Sequence, residues 1–499
     1  MTRTGLIHRF AVVALAAAAL PAALAAQGLR ITGVTTGRYV DLRPFVEDSV
    51  PLSAIADTNA GFPYRLTNQG FYVRCTAGEP VCRYLRSGTR INTFPVTQDL
   101  EITGWGFGQG LSFHTQLRFR QGFGEVKEFW PRSEDRMDAL DAYLELDRSA
   151  FRARAGRQFI ASGLGYKNFD GASLLLRPFG QLSVQGFAGW GLAQALNEPR
   201  NSGEIEQWEE IPSNTHTNLF GAELRWNPRR GAAANAIYLR EIRTDRAGMI
   251  SERLATDARV ALPDLGGTVE GWLTYDFAAA QVNEGRLRYR FPAIARVTPM
   301  LEARHSRPFF ELWTIWGAFS PVPFNEGRAQ VAWSSRTGVL GGDVYGAYRT
   351  YDEADAGLES PALRSDGWRL GANATWRVTD ALMASGGYNA DIGFGASRTD
   401  GSAALRWTGD RLALGVNGTA FQNIYEFRVG DGRVIGGGFD AAIRLSDEAR
   451  LAGDFMIYKH RADGNNPMVT DWSQRRATLR LEWTVGRGAD DTGVGGRDR

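Results

Sequence analysis

The chain has 499 residues, 43% of them hydrophobic, with 57 Lys+Arg against 55 Asp+Glu and a formal net charge of +2. That balance excludes the basic footprint of a nucleic-acid-binding protein, and 59 glycines in a chain-wide period of two argue for one large all-β unit over several α/β domains. Apart from Lys127, Lys167 and Lys459 the cations are arginines, the better donors for oriented contacts with carboxylate, phosphate or sulfate, although genomic base composition explains such a bias equally well.

Arg3, His8 and Arg9 precede an apolar run from Phe10 to Leu24, followed by Ala25 and Ala26. This is the layout of a secretory signal peptide over residues 1–26. No later run approaches the roughly 18 apolar residues of a membrane helix. An exported chain that crosses a membrane must then use strands, and a spanning sheet must close on itself, because the bilayer core offers no water to free backbone groups. Residues 27–98 read as a first strand, Leu29 to Leu42, and an insertion from Arg43 to Val96 that folds over a mouth or into a lumen. Cys75 and Cys82 flank a turn at Ala-Gly-Glu-Pro, so a disulfide pinning a hairpin is expected in an oxidising compartment. No histidine follows Cys82, which argues against haem attachment, and two cysteines without nearby histidines make a poor zinc site.

From Asp99 the pattern is regular. Asp99 to Phe107 turns into Leu111 to Arg120, and Asp138 to Gln158 reads as two strands folded back at Arg148-Ser149. One strand alternates Leu144 and Leu146 with Glu145 and Asp147; the next alternates Phe151 and Ala153 with Arg152 and Arg154. Each strand has one apolar and one charged face, and an acidic strand beside a basic one gives cross-strand ion pairs. Further hairpins follow at residues 171–192, 217–243, 253–277, 284–305, 328–351, 367–391, 401–421 and 433–460, with a last strand from Gln474 to Val485. Short turns alternate with long polar connections. The fold expected over residues 99–486 is a transmembrane antiparallel up-and-down β-barrel of about 20–22 strands, with both termini in the periplasm. Residues 487–499 read as a disordered tail.

The apolar strand faces carry Trp226, Trp333, Trp376, Trp407 and Trp483, each near a short turn or the last strand's end, which reads as an aromatic girdle at one membrane interface. The polar faces carry Arg118, Arg120, Arg152, Arg154, Arg225, Arg259, Arg286, Arg288, Arg290 and Arg369, with Arg377, Arg444 and Arg480 in the same phase. Asp141, Glu145, Asp147, Glu223, Asp257, Asp454 and Glu482 share that side. These residues are expected to line a pore, since so charged an interior must hold water or plugging polypeptide. Two readings of it stand: a wall whose arginines are neutralised by neighbouring carboxylates, and an arginine ladder favouring anions.

The signal peptide and tandem hairpins resemble Gram-negative outer-membrane porins. Within RARAGRQFIASGLGYKNFDGASLLL, Gly156-Arg157-Gln158 and Phe169-Asp170-Gly171 resemble the GRQ and FDG elements of alginate-export-like barrels. The resemblance implies a channel with an arginine-rich lumen for hydrophilic solutes, including anionic oligosaccharides, seated in outer-membrane lipid and inserted by the assembly machinery. It also allows an oligomer. Such barrels commonly end in an aromatic residue; here Leu481, Trp483 and Val485 are followed by a glycine- and charge-rich stretch to Arg499.

Other motifs lead nowhere chemical. GWGFGQG, Gly104 to Gly110, has no helix behind it to bind phosphate and reads as a hairpin turn. Ser112 and His114 sit two apart on one strand face with no local motif to complete a triad. Pro308 to Phe324 is too apolar for a free loop and reads as a constriction or a short helix. The functional expectation is a passive channel without cofactor, metal or enzyme activity. A scaffold, adhesin or sheath for a partner protein is the alternative, and an outer-membrane hydrolase a further one.

Overall fold

Period-two alternation produces strands from Leu29 to Gly486. The computed structural model describes residues 28–486 except 43–44, 58–63, 68–71, 76–77, 109, 125–135, 193–216, 229–230, 244–248, 308–322, 353–364, 394–395, 425–431 and 463–470. The expected signal peptide and tail, and all but the end of the Pro308–Phe324 stretch, lie outside the described residues.

Strand β1 (Leu29–Leu42) leads into a small sheet of β2 (Phe45–Pro51), β3 (Ile55–Asp57), β4 (Tyr64–Thr67), β5 (Tyr72–Cys75) and β6 (Val81–Ser87). The wall continues with β7 (Ile91–Trp105), β8 (Leu111–Gly124), β9 (Arg136–Asp147), β10 (Phe151–Ser162), β11 (Gly165–Phe179), β12 (Leu182–Gly191), β13 (Thr217–Trp226) and β14 (Ala232–Arg243). Next come β15 (Met249–Leu262), β16 (Gly267–Asp276), β17 (Gln281–Arg290), β18 (Val297–Ser306), β19 (Phe324–Ser334), β20 (Leu340–Tyr351) and β21 (Asp366–Arg377). The last six are β22 (Leu382–Gly393), β23 (Ala396–Thr408), β24 (Leu412–Ile424), β25 (Gly432–Arg444), β26 (Ala449–Ala462) and β27 (Trp472–Gly486).

Each wall strand pairs antiparallel with its neighbours in the chain, and β1 pairs with both β7 and β27, from Arg30 opposite Gly486 to Asp41 opposite Arg475. Twenty-two strands thus close into an up-and-down barrel, the upper end of the expected count. Regular pairing begins at Ile91, so the first wall hairpin starts inside what the pattern assigned to the insertion. The insertion itself forms a separate five-stranded sheet, in which Cys75 and Cys82 sit directly opposite and are disulfide-bonded. Arg90 ties its base to the wall, 3.3 Å from Asp41 and donating to the Ser473 carbonyl at 2.8 Å.

The outer face is apolar and open. Leu144, Leu174, Leu224, Leu287, Leu301, Val344, Leu370, Val416, Ile435, Phe439 and Leu479 are all exposed on it. In water so much apolar surface would be untenable; in hydrocarbon it is the favourable solvent contact. Trp368 and Trp376 mark the band on one strand, separated by Leu370, Ala372 and Ala374 on the same face. Eight residues at about 3.3 Å each place them about 26 Å apart along the strand, the height of a bilayer core once tilt is allowed. The chain is a membrane-spanning β-barrel. Trp226, Trp333, Trp376 and Trp407 stand exposed on the outer face at or next to the last residue of β13, β19, β21 and β23, all at the short-turn end. Trp483, three residues before the end of β27, lies across Gly33 of β1 at the closing seam, so close that a Cβ on Gly33 would meet its ring.

Gly33→Val should therefore push Trp483 off the seam and destabilise the barrel by about 1–3 kcal/mol, the usual effect of overpacking. A lowered urea midpoint, followed by the gel shift between folded and heat-denatured barrel, would register it.

Candidate functional site

The residues expected to line a pore share one phase of the wall strands, and the strand register sets how they meet. Arg152 faces Asp147 and Arg154 faces Glu145 across the β9–β10 ladder. Arg152 lies 2.6 Å from Asp147 and 3.7 Å from Glu145, Arg154 is 2.6 Å from Glu145, and Arg177 adds a contact to Asp147 at 2.9 Å. Pairs of this kind run round the wall, across the ladder or, for Arg225–Glu223 and Arg480–Glu482, two residues apart along one strand. Arg118 pairs with Asp99 at 2.6 Å, Arg120 with Asp138, Arg225 with Glu223 at 2.7 Å and Arg259 with Glu270 at 3.8 Å. Arg288 bridges Glu270 and Glu302 at 3.3 and 2.7 Å, and Arg480 meets Glu482 at 2.9 Å. Near the loop end Arg349 and Arg369 share Glu326 and Asp391, with Arg398 3.6 Å from Asp391. Arg286, Arg290, Arg377 and Arg444 have no carboxylate within 4 Å among the described residues; Arg286 instead lies over the Trp272 ring, 5.3 Å from its centroid.

The feature that the pattern did not reveal is a tongue. The ladder between β9 and β10 stops at Ala142–Arg157, and that between β11 and β12 stops at Phe169–Gly191, yet β10 and β11 remain paired to Ser162–Gly165. Their shared tip, residues 158–168, leaves the wall and folds into the lumen. Its inward face lies on the inner surface of β12 to β15. Ile160, Leu164 and Phe169 form one buried cluster with Phe187, Leu219, Ile237, Leu239 and Ala255. A Cβ built on Gly163 would stand 3.0 Å from the Ala255 Cβ and 3.4 Å from the Trp272 ring, so the tip reaches the middle of β15 and β16. Lys167 Nζ donates to Glu241 Oε2 at 2.9 Å; Glu241 is 0% exposed and Lys167 6%.

The tongue's base explains why GRQ and FDG stand where they do. Gly156 takes φ +129°, a region that L side chains rarely adopt, and sits directly opposite Gly171. Arg157 donates to both Asp170 oxygens at 2.8 and 2.9 Å and to the Ala139 carbonyl at 3.1 Å, closing the seam that the departing hairpin leaves beside β9. Gln158 accepts from Ser173 Oγ at 2.7 Å. A sequence signal existed: Lys167, one of three lysines in a chain whose cations are otherwise arginine, and Gly156 in the same hairpin.

Half of the 22-strand circuit away, the inner wall is flat. Glycines opposite long inward side chains let those chains lie along the wall: Tyr345 over Gly371, Asn373 over Gly387, Asp440 over Gly415 and Tyr458 over Gly436. Tyr345 OH donates to Asn389 at 3.0 Å, and Asn389 to Asp400 at 2.9 Å. Among the described residues no cluster of metal-ligating side chains occurs. His114 hydrogen-bonds Thr103 Oγ1 at 3.1 Å and approaches Asp141 at 3.2 Å, so its partners are neighbours across the ladder and not Ser112.

No family model matches the chain, and no curated protein matches it. Solved outer-membrane proteins are similar to it over most of its length. OccK3 (OpdO) of Pseudomonas aeruginosa is 10% identical, with TM-score 0.37 over 92% of this chain and 96% of its own. OccAB2 of Acinetobacter baumannii is 10% identical, with TM-score 0.41 over 92% and 98%. A point mutant of the ferric enterobactin receptor PfeA of Pseudomonas aeruginosa is 11% identical, with TM-score 0.46 over 91% and 80%.

Phe169 is wholly buried beneath the tongue. Phe169→Ala should weaken the docked position by about 3–5 kcal/mol, the range for a large-to-small core change. Trypsin should then cut after Lys167 in the folded barrel where it spares the wild type, read by mass spectrometry.

Proposed function

We propose that the protein is a passive outer-membrane channel for small hydrophilic solutes. The observation that carries this reading is the lumen itself: a 22-strand circumference encloses more space than side chains fill, and its inner face is charged and hydrogen-bonded, which only water can solvate. Solutes pass along the flat wall of β20 to β26, while the tongue narrows the side of β12 to β16.

Charge selection follows from the pairing. Most of the inward arginines are matched by carboxylates, so their fields cancel within the roughly 8–10 Å over which salt screens them. A surplus remains: among the described residues Arg286, Arg290, Arg328, Arg377, Arg444 and Arg476 have no carboxylate within 4 Å, against Asp257, Asp343, Asp400 and Asp454 with no arginine, and Arg290, Arg377 and Arg444 stand at the short-turn end of their strands. This supports a mild preference for anions. Acidic oligosaccharides, the solutes implied by the GRQ and FDG resemblance, fit the sign of that surplus; the two elements themselves serve the tongue's base.

Single-channel recording in a planar bilayer tests the reading, with the reversal potential taken under a salt gradient. Steady conductance with modest anion selectivity is expected. Glu145→Gln leaves Arg154 without its carboxylate and should move the reversal potential further toward anions. Folded, heat-modifiable barrel that conducts in no preparation would remove the channel reading in favour of a scaffold.

A further inference from the structure

The tongue has a second place to go. β9 runs on to Arg136, past the point where its ladder with β10 ends at Ala142, and no strand of the described residues pairs with that side of residues 136–141. β8 occupies only the other side. Apart from the Ala139 carbonyl, which accepts from Arg157 at 3.1 Å, that edge has no ladder partner, and such an edge is a ready template for pairing. The segment that would continue the ladder is residues 158–162, now turned into the lumen.

We propose that the tongue is a gate with two built positions: docked on the inner wall, as seen, and straightened into the barrel wall by pairing with the β9 edge. The proposal rests on the channel reading. The β10–β11 ladder holds from end to end, so the tip swings as one ribbon. The pivot is the glycine pair Gly156 and Gly171, continued on β12 by Gly189 opposite Gly171. A line of residues without Cβ across three strands lets the ribbon bend there.

The two faces of the tongue suit the two positions. In the docked position Ile160, Leu164 and Lys167 are buried, while Phe159 and Tyr166 stack at 4.8 Å between ring centroids and stay exposed. Phe159 continues the outward phase of Ala153 and Ala155 beyond the Arg157–Asp170 pair, so straightening would carry it and Tyr166 to the outer face near Trp190, at the loop-side rim where charged residues and aromatic rings meet the membrane interface. Docking is then governed by the Lys167–Glu241 pair: buried together they hold the tip, and removing one charge strips the other of a buried partner.

The test uses the full-length barrel with Gly163→Cys and Ala255→Cys, whose Cβ atoms come close enough for a disulfide after a small shift. Wild-type barrel with and without reductant controls for the native Cys75–Cys82 bond. Two conductance levels are expected in the wild type, with loss of the upper level in the oxidised double variant, its return on reduction, and greater occupancy in Lys167→Met. A second readout needs no current: Leu164→Cys, buried under the docked tongue, should react faster with a bulky hydrophilic maleimide when Lys167→Met is added. Identical traces in the oxidised, reduced and wild-type forms, with labelling of Leu164→Cys unchanged by Lys167→Met, would make the tongue a fixed constriction and overturn the gate. Faster labelling in a barrel that never conducts would keep the gate and overturn the channel.

Discussion

A strand crossing hydrocarbon must find a partner for every backbone N–H and C=O within the protein, because lipid supplies none. For a sheet that condition is met only by closure, so the β1–β27 seam is the interaction on which the rest depends. Closure gives the protein an outside and an inside with opposite chemistry. Leu370 and Phe439 then become solvent contacts with lipid, and the charged residues between them become lumen.

A barrel of this circumference cannot be filled by its own side chains, and the two halves of the wall deal with the space differently. On the side of β12 to β15 a hairpin turns inward and brings its own apolar face, so Phe187, Leu219, Ile237 and Leu239, which point into the lumen, are nevertheless dry. On the opposite side glycines receive the rings and carboxylates of neighbouring strands and the wall stays flat. The result is an off-centre interior in which one side is a packed core and the other a wetted surface.

Charge within that interior is organised by register. Antiparallel pairing places residues of adjacent strands directly opposite, so acidic β9 beside basic β10 yields salt bridges without any long-range design. Partly exposed pairs of this kind add little stability. Their effect is on the field: the lumen is rich in arginine yet close to neutral over most of its height. The Lys167–Glu241 pair differs, being buried and joining elements three strands apart, which ties the tongue's position to two specific charges.

The barrel is legible without coordinates, because alternation with period two is a local property that each strand displays alone. Leu144 against Glu145, or Ala153 against Arg154, assigns lipid and lumen with no knowledge of the neighbours. The turns between such segments set the strand number, and the tryptophans beside those turns, Trp226 to Trp407, mark one rim. The partners of the inward arginines, as for Arg349 with Glu326 and Asp391, depend on register across several strands and were beyond a linear reading. So was the tongue: Phe159, Ile160 and Ala161 break the alternation, but that run alone does not say whether the hairpin stays in the wall or folds over β12 to β15. The choice rests on distant contacts, since what holds the tip inward is burial against Leu219, Ile237 and Glu241, residues dozens of positions away whose approach no local pattern encodes.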